Sequence, residues 1–473
     1  MKIYRVCFTL FFLVIFSCLP GQVISISGSG RGYQNAELRI YSQSDPITKR
    51  FKPLFRTLCD EKGSFSFEVP CKGRELIYIR TGIFCFSINA AEGSKYEIRL
   101  PDFISKPRGE EQNPLFVEKN LIPEIVNDTN DINNLIRIFD AEYDPIFNDV
   151  AERVFRNIKK GEIPGLIEKL NRVSRANGPV FYSNFVKYRM MMLNQVAFGT
   201  YPGRIEDSTL INARFDSENQ AFLDLVEQLF TGYFRGLASG PLREAYNRAL
   251  TSSSLNDLKY VILKDGKAVE KQLQEYIILL NLCSEYYNGS VPLENTIKII
   301  SSLKSDGFSP FIKEIASQLL EKIVSTLPGT IPPDFSLLND NGRKVSLKDF
   351  KGRYLIMSFT RSDNPATVME FGLLNMWYKK YQADLEVITI LTDHDYKSAM
   401  KKMENNGFKW TFLDGSSSDF LEYQYDIKMY PTFLVLDREN RIIADPASFP
   451  SEYLESWIRK LIREEKERSD PKD

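Results

Sequence analysis

The chain has 473 residues, 43% of them apolar and 12% aromatic, enough for well-packed cores in about three domains and too much for a disordered chain. Its 61 Lys and Arg nearly cancel its 62 Asp and Glu, so no global field draws it to nucleic acid or to an anionic membrane, and a partner must be recognised locally. A single histidine excludes His-Glu-x-x-His zinc sites and multi-histidine metal centres, and no Gly-x-Ser-x-Gly or Walker motif occurs, so neither a metal nor a cofactor is expected.

The chain opens with a short basic region, Met1 to Arg5, and an apolar run of about eleven residues, Val6 to Phe16, too short to span a bilayer. This predicts a signal peptide over 1–22 and an exported protein, periplasmic or anchored in the cell envelope. Ile15-Phe16-Ser17-Cys18 resembles a bacterial lipobox, which makes Cys18 a lipidation candidate, whereas a cut after Gly21 or Gln22 would release a soluble protein. Any membrane contact would then run through the lipid alone.

Residues 23–105 predict a small antiparallel β domain. Ala36 to Tyr41 and Ser64 to Val69 alternate apolar and polar residues around an Asp60-Glu-Lys-Gly63 turn, and further strands follow at 76–80, 83–89 and 95–100. Short strands separated by turns predict a β-sandwich. Ser27-Gly-Ser-Gly-Arg-Gly32 has the spacing of neither phosphate-binding motif and reads as a turn. Cys59, Cys71 and Cys85 fall close together, and an oxidising compartment would permit a disulfide between two of them; Cys283 stands apart, and Cys85 between two phenylalanines also suits a buried apolar position.

From 115 to 327 the apolar spacing becomes three and four, predicting an all-α domain with helices at 132–139, 150–158, 164–173, 181–196 and 272–287 among eight to ten in all. The aromatic and sulfur-rich run from Phe181 to Met192 reads as core. After Leu327-Pro-Gly-Thr-Ile-Pro-Pro333 the composition shifts again, and buried strands are expected at 354–359 and 385–391, with a helix over 367–381 between them. Asp393-His394-Asp395 reads as a solvated loop after the second strand, and 466–473 as a charged tail.

Over 331–465 the chain resembles the redoxin superfamily, the peroxiredoxins and the thioredoxin-like reductases of cytochrome maturation. The resemblance rests on Pro333-Asp-Phe-Ser-Leu337, on Asp340-Asn-Gly342 with Val345 to Gly352, on Phe359 and Glu370, and on Met429-Tyr-Pro-Thr-Phe-Leu-Val-Leu-Asp437. It implies a thioredoxin-like α/β domain, a cis peptide bond before Pro431, and a Cys-x-x-Cys pair at the positions held here by Asn364-Pro365-Ala366-Thr367. The N-terminal strands loosely resemble the prealbumin-like modules that precede thioredoxin domains in secreted bacterial proteins, which implies a spacer or binding module.

The expected architecture is therefore multidomain, α+β and α/β: an N-terminal antiparallel β-sandwich, a central all-α domain and a C-terminal thioredoxin-like domain. Thiol-disulfide exchange needs a thiolate at the helix N-terminus, and neither Asn364 nor Thr367 supplies one, so no catalytic residue is expected. The resemblance implies instead a groove for an extended peptide, lined by Asn364, Pro365, Thr367, Tyr430 and Pro431, with envelope proteins or peptides as partners and no nucleic acid. An oxidoreductase working through a displaced cysteine, and an architectural envelope protein, are the alternatives.

Overall fold

A computed structural model describes residues 23–469 except 44, 108–109, 111–112, 114–115, 174–177, 199–213, 267, 269, 289–290, 326, 394 and 417–418. The expected signal segment with Cys18, His394 and the last residues of the tail lie outside the described residues.

The N-terminal strands are β1 (Val23–Ser29), β2 (Glu37–Gln43), β3 (Phe51–Leu58), β4 (Ser64–Pro70), β5 (Arg74–Thr81), β6 (Phe84–Ala91), β7 (Lys95–Arg99), β8 (Lys119–Leu121) and β9 (Glu124–Ile125). They form one sheet in the order β4-β1-β7-β9 and another in the order β3-β2-β5-β6-β8. Alternate residues of both sheets, among them Ile24, Leu38, Phe67, Ile79, Phe86 and Ile98, meet in one apolar cluster.

The expected antiparallel arrangement is corrected at two places, since β1 pairs parallel with β7 and β6 parallel with β8. Alternation reports burial of one face and carries no strand direction. Gly28 lies within β1, not in a turn, where a Cβ would stand 2.5 Å from the Ile98 carbonyl oxygen. Cys59, Cys71, Cys85 and Cys283 are all buried free thiols, so the disulfide that an oxidising compartment would permit is absent among the described residues, and Cys85 takes the buried position its phenylalanine neighbours suit. Strands β8 and β9 extend each sheet beyond residue 105, and the helices begin only at Ile132.

The helices are α1 (Ile132–Arg156), α2 (Ile163–Val173), α3 (Val180–Phe198), α4 (Gln220–Phe230), α5 (Tyr233–Ser239), α6 (Arg243–Thr251), α7 (Leu255–Lys264), α8 (Lys271–Asn288), α9 (Leu293–Ser302) and α10 (Pro310–Ser325). The two helices expected over 132–139 and 150–158 are one, and it carries Pro145 in its interior. Tertiary packing offsets the roughly 3 kcal/mol that an internal proline costs: Phe139, Tyr143, Ile146 and Val150 are buried against α2 and α3. The Phe181–Met192 run is core, as read: Tyr182 packs with α1, Tyr188 packs with α4, and Phe185 touches both clusters.

The C-terminal sheet runs β14 (Thr411–Asp414), β13 (Leu385–Leu391), β12 (Tyr354–Thr360), β15 (Thr432–Leu436), β16 (Ile442–Ala444), after a short hairpin of β10 (Leu337–Leu338) and β11 (Lys344–Val345). Strands β12 to β14 are parallel, and β15 and β16 return antiparallel. Its helices are α11 (Pro365–Lys380), α12 (Tyr396–Asn405), α13 (Asp419–Gln424) and α14 (Leu454–Ser469). Tyr354 and Ile356 point into one apolar cluster and Leu355, Met357 and Phe359 into another, so both faces of the sheet are covered, as parallel strands require.

Residues 329 and 330 are held to this sheet: Gly329 N–H donates to the Ile442 carbonyl and Ile442 N–H donates to the Thr330 carbonyl, both at 2.7 Å. Strand β3 lies against α13, where Arg56 forks onto the Asp419 carboxylate and donates to the Ser416 carbonyl at 3.1 Å. No helix of the described residues is long and apolar enough to cross a membrane.

Candidate functional site

The site is built where β12 ends and α11 begins. All seven residues of β12 are buried, so the strand fixes its end firmly, and the chain must turn at Arg361 to Asp363 to start the helix. Asn364 is the N-cap: its Oδ1 accepts the Ala366 N–H at 2.9 Å, and Pro365 takes the first helical position, where its missing N–H costs nothing. The same amide faces the other way as well. Asn364 Nδ2 donates to the main-chain carbonyl of Tyr430 at 2.9 Å, across 66 residues of sequence.

The Tyr430-Pro431 bond is cis, as the resemblance implied. Asn364, Pro365, Tyr430 and Pro431 are thus brought together, with Asn364 and Pro431 buried, and Thr367 is fully buried and presents nothing to a ligand. Its hydroxyl lies 2.5 Å from Thr360 Oγ1, a bond inside the domain. Apolar groups are exposed around the cap, Pro365, Met369 one turn further on and Met429 beside Tyr430, flanked by the exposed charges of Asp363 and Lys428.

Further residues hold this loop, and of these Ser362, Lys402 and Glu422 were not singled out in the sequence. Ser362 donates its Oγ and its N–H to the two oxygens of Asp393 at 2.6 and 2.8 Å, and Lys402 Nζ reaches Ser362 Oγ at 3.3 Å. Asp393 is buried, which corrects the solvated reading at that residue alone; Asp395 is exposed and caps α12 through the Ser398 N–H at 3.0 Å. Glu370 is buried too, and accepts the N–H and hydroxyl of Ser451 at 2.8 and 2.7 Å. Glu422 accepts the Tyr430 hydroxyl. Burial, with the charge of Asp419 added, pushes the Glu422 carboxyl above its ordinary value, and burial with Glu422 alongside does the same for the Tyr430 phenol. Ser362, Lys402 and Glu422 carried only a weak signal in the sequence, since a Ser, Lys or Glu at such a position satisfies many patterns.

Chemically the helix N-terminus holds a doubly bonded amide and a buried hydroxyl, and 328–473 contain no cysteine. The remaining described thiols sit elsewhere. Burial, with nearby carboxylates adding to it, pushes Cys59, Cys71, Cys85 and Cys283 up to about 11, so each is protonated near neutral pH.

Residues 328–444 match the model of the AhpC/TSA family. The chain is 22% identical, over 135 residues, to proteins named thiol-disulfide oxidoreductase ResA from Bacillus thuringiensis and Bacillus cereus, a match covering 28% of this chain and 78% of each relative. Among solved structures, the thioredoxin domain of a thiol-disulfide oxidoreductase from Bacteroides vulgatus is 23% identical, with 29% of this chain and 99% of that one covered and a TM-score of 0.27. A thiol-disulfide oxidoreductase from Bacteroides fragilis is 26% identical, with 28% and 99% covered and a TM-score of 0.25. The C-terminal part of this multidomain chain, built of a mixed sheet and flanking helices, is a thioredoxin-like domain that matches the AhpC/TSA redoxin family.

Proposed function

We propose that the thioredoxin-like domain has lost thiol-disulfide chemistry and serves recognition, binding an extended peptide or protein segment of the cell envelope along the edge that ends at Tyr430-Pro431. The observation that carries this is the Asn364 side chain, which has no ionisable group and spends both ends of its amide on the helix cap and the Tyr430 carbonyl. A nucleophile at a helix N-terminus must be free to ionise and to leave its partners. Thr367, at the second position of the usual pair, is buried under the loop.

The displaced-cysteine alternative is disfavoured by the four buried thiols, whose high pKa values leave almost no thiolate for attack. On this reading the leader is removed on export, either just before Cys18, which then carries the lipid, or after Gly21 or Gln22, which releases a soluble protein. The two N-terminal sheets form a β-sandwich and residues 132–325 an all-α domain, together presenting the thioredoxin-like domain to its partner. The Asn364–Tyr430 bond takes one lone pair of the carbonyl, and the second lone pair and the exposed Pro365, Met369 and Met429 are what a peptide would use.

The test is a disulfide-reduction assay on the parent protein beside Asn364→Cys/Thr367→Cys. An inactive parent and an active double variant are expected. Turnover by the parent would overturn the redox-inactive reading. A photocrosslinker at Met429 that captures no envelope peptide, while the parent is inactive, would overturn the recognition role alone.

A further inference from the structure

The face of the C-terminal domain that bears Arg361 looks across a cleft at the β3-β2-β5 strands of the N-terminal sheet. Three arginines stand in cross-strand register there: Arg39 on β2 is opposite Arg56 on β3 and opposite Arg80 on β5. Like charges directly opposed on one face of a sheet repel, so such a row is sustained only by counter-charge. The carboxylates beside the row are already committed. Glu37 pairs with Arg39 at 2.9 Å and with Arg56 at 3.6 Å, Glu118 pairs with Arg80 at 2.7 Å, and Asp419 takes the fork of Arg56.

Arg39, Tyr41 and Arg80 form a ridge shared by two cavities. One, of about 460 Å³, adds Lys106 and Arg361; the other, of about 340 Å³, adds Arg50, Glu422 and Tyr423. Both fall in the size range of small-molecule sites. Each contains a buried guanidinium N–H with no acceptor among the described residues: Nη2 of Arg50, whose side chain is only 7% exposed, and Nε of Arg361. Leaving such donors without a hydrogen bond is costly, and the ion pairs these arginines do make are long: Arg50 Nε stands 3.5 Å from Asp426 Oδ1 and Arg361 Nε 3.5 Å from Asp363 Oδ1. Stacking fixes the planes of these groups, with Arg50 lying 4.0 Å from the centre of the Tyr423 ring and Arg80 5.5 Å from that of Tyr41. Burial also holds the Lys106 ammonium below its ordinary value, a cation that lacks full compensation where it stands.

We propose that the cleft between the N-terminal sheet and the thioredoxin-like domain binds a small multivalent oxyanion, its carboxylate or phosphate groups engaging the under-bonded guanidinium groups of Arg50 and Arg361 on either side of the Arg39–Arg80 ridge. Planar guanidinium forks suit both kinds of oxyanion. The cleft would hold such an anion whether or not the cis-proline edge takes a peptide.

The probes are citrate and pyrophosphate, titrated calorimetrically into the full chain at low salt, with chloride at matched ionic strength as control. Saturable binding of at least one probe with a Kd below about 1 mM is expected, weakened about tenfold in Arg361→Gln and in Arg50→Gln and by added salt. The stronger probe says whether carboxylate or phosphate is preferred. Should Arg50→Gln fail to fold, Arg361→Gln and Lys106→Gln carry the test, since both alter only the wall of the larger cavity. No saturable heat from either probe, the same response to chloride, or unchanged affinity in the folded variants would overturn the assignment.

Discussion

Asn364 is the residue on which the site's geometry turns, and its two bonds can be removed one at a time. Asn364→Ala deletes both: loss of an N-cap costs about 1 kcal/mol, and loss of the bond to the Tyr430 carbonyl about another 1 kcal/mol. Asn364→Ser keeps a capping oxygen but is too short to reach Tyr430, so it should lose only the second. At RT of about 0.6 kcal/mol, local opening of the first turn of α11 becomes about thirtyfold more frequent in the alanine variant and about fivefold in the serine variant. Hydrogen exchange read by mass spectrometry on the peptide spanning 361–371 measures this directly, with the 454–465 part of α14 as an unchanged reference. Identical exchange in parent and Asn364→Ser would refute the strap to Tyr430. Identical exchange in all three proteins would refute the cap as well.

Three further outcomes are expected. Arg56→Ala should cost about 2 kcal/mol at the contact of β3 with α13, seen as faster exchange over 419–424, and the reversed pair Arg56→Asp/Asp419→Arg should recover most of it; no recovery would mean the fork is incidental. Burial, with the Asp426 charge beside it, pushes the Asp445 carboxyl up to about 7. The folded state therefore favours its protonated form, and stability from this group is complete below about pH 4 and withdrawn as pH rises to about 7, so Asp445→Asn should flatten the melting temperature over that window. Finally, a thiol reagent at pH 8 should label Cys59, Cys71, Cys85 and Cys283 roughly a hundredfold more slowly in the folded than in the denatured chain; fast native labelling would contradict their burial.

What the sequence disclosed and what it hid divide along physical lines. Strands such as Ser64–Pro70 alternate strictly because one face is buried, and that pattern is local. Strand β3 escaped because Pro53 interrupts it: the pairing with β2 shifts register between Ile40 and Tyr41, and the proline sits at that irregularity, where a missing N–H is tolerated. The frame of the site was legible through Phe359, Glu370 and Tyr430-Pro431, whose spacing survives any change at Asn364 and Thr367. Its wiring was not. The bond from Asn364 to Tyr430, the seat of Ser362 on Asp393 and the fork of Arg56 onto Asp419 join residues that are 66, 31 and 363 positions apart. Arg39, Arg56 and Arg80, taken singly, are ordinary outward residues of amphipathic strands; only the register makes a row of them.

The short stretch ahead of the thioredoxin-like domain does more than connect. Gly329 and Thr330 bond both main-chain groups of Ile442 on one margin of the five-stranded sheet, and Asn339 bridges to Leu413 on the other. Each outermost strand is thereby deprived of part of the free donors and acceptors that a second chain would need to add itself on. A variant that detaches 329–330, such as one with Gly329→Pro, would expose that margin and is expected to make it a template for sheet-to-sheet aggregation.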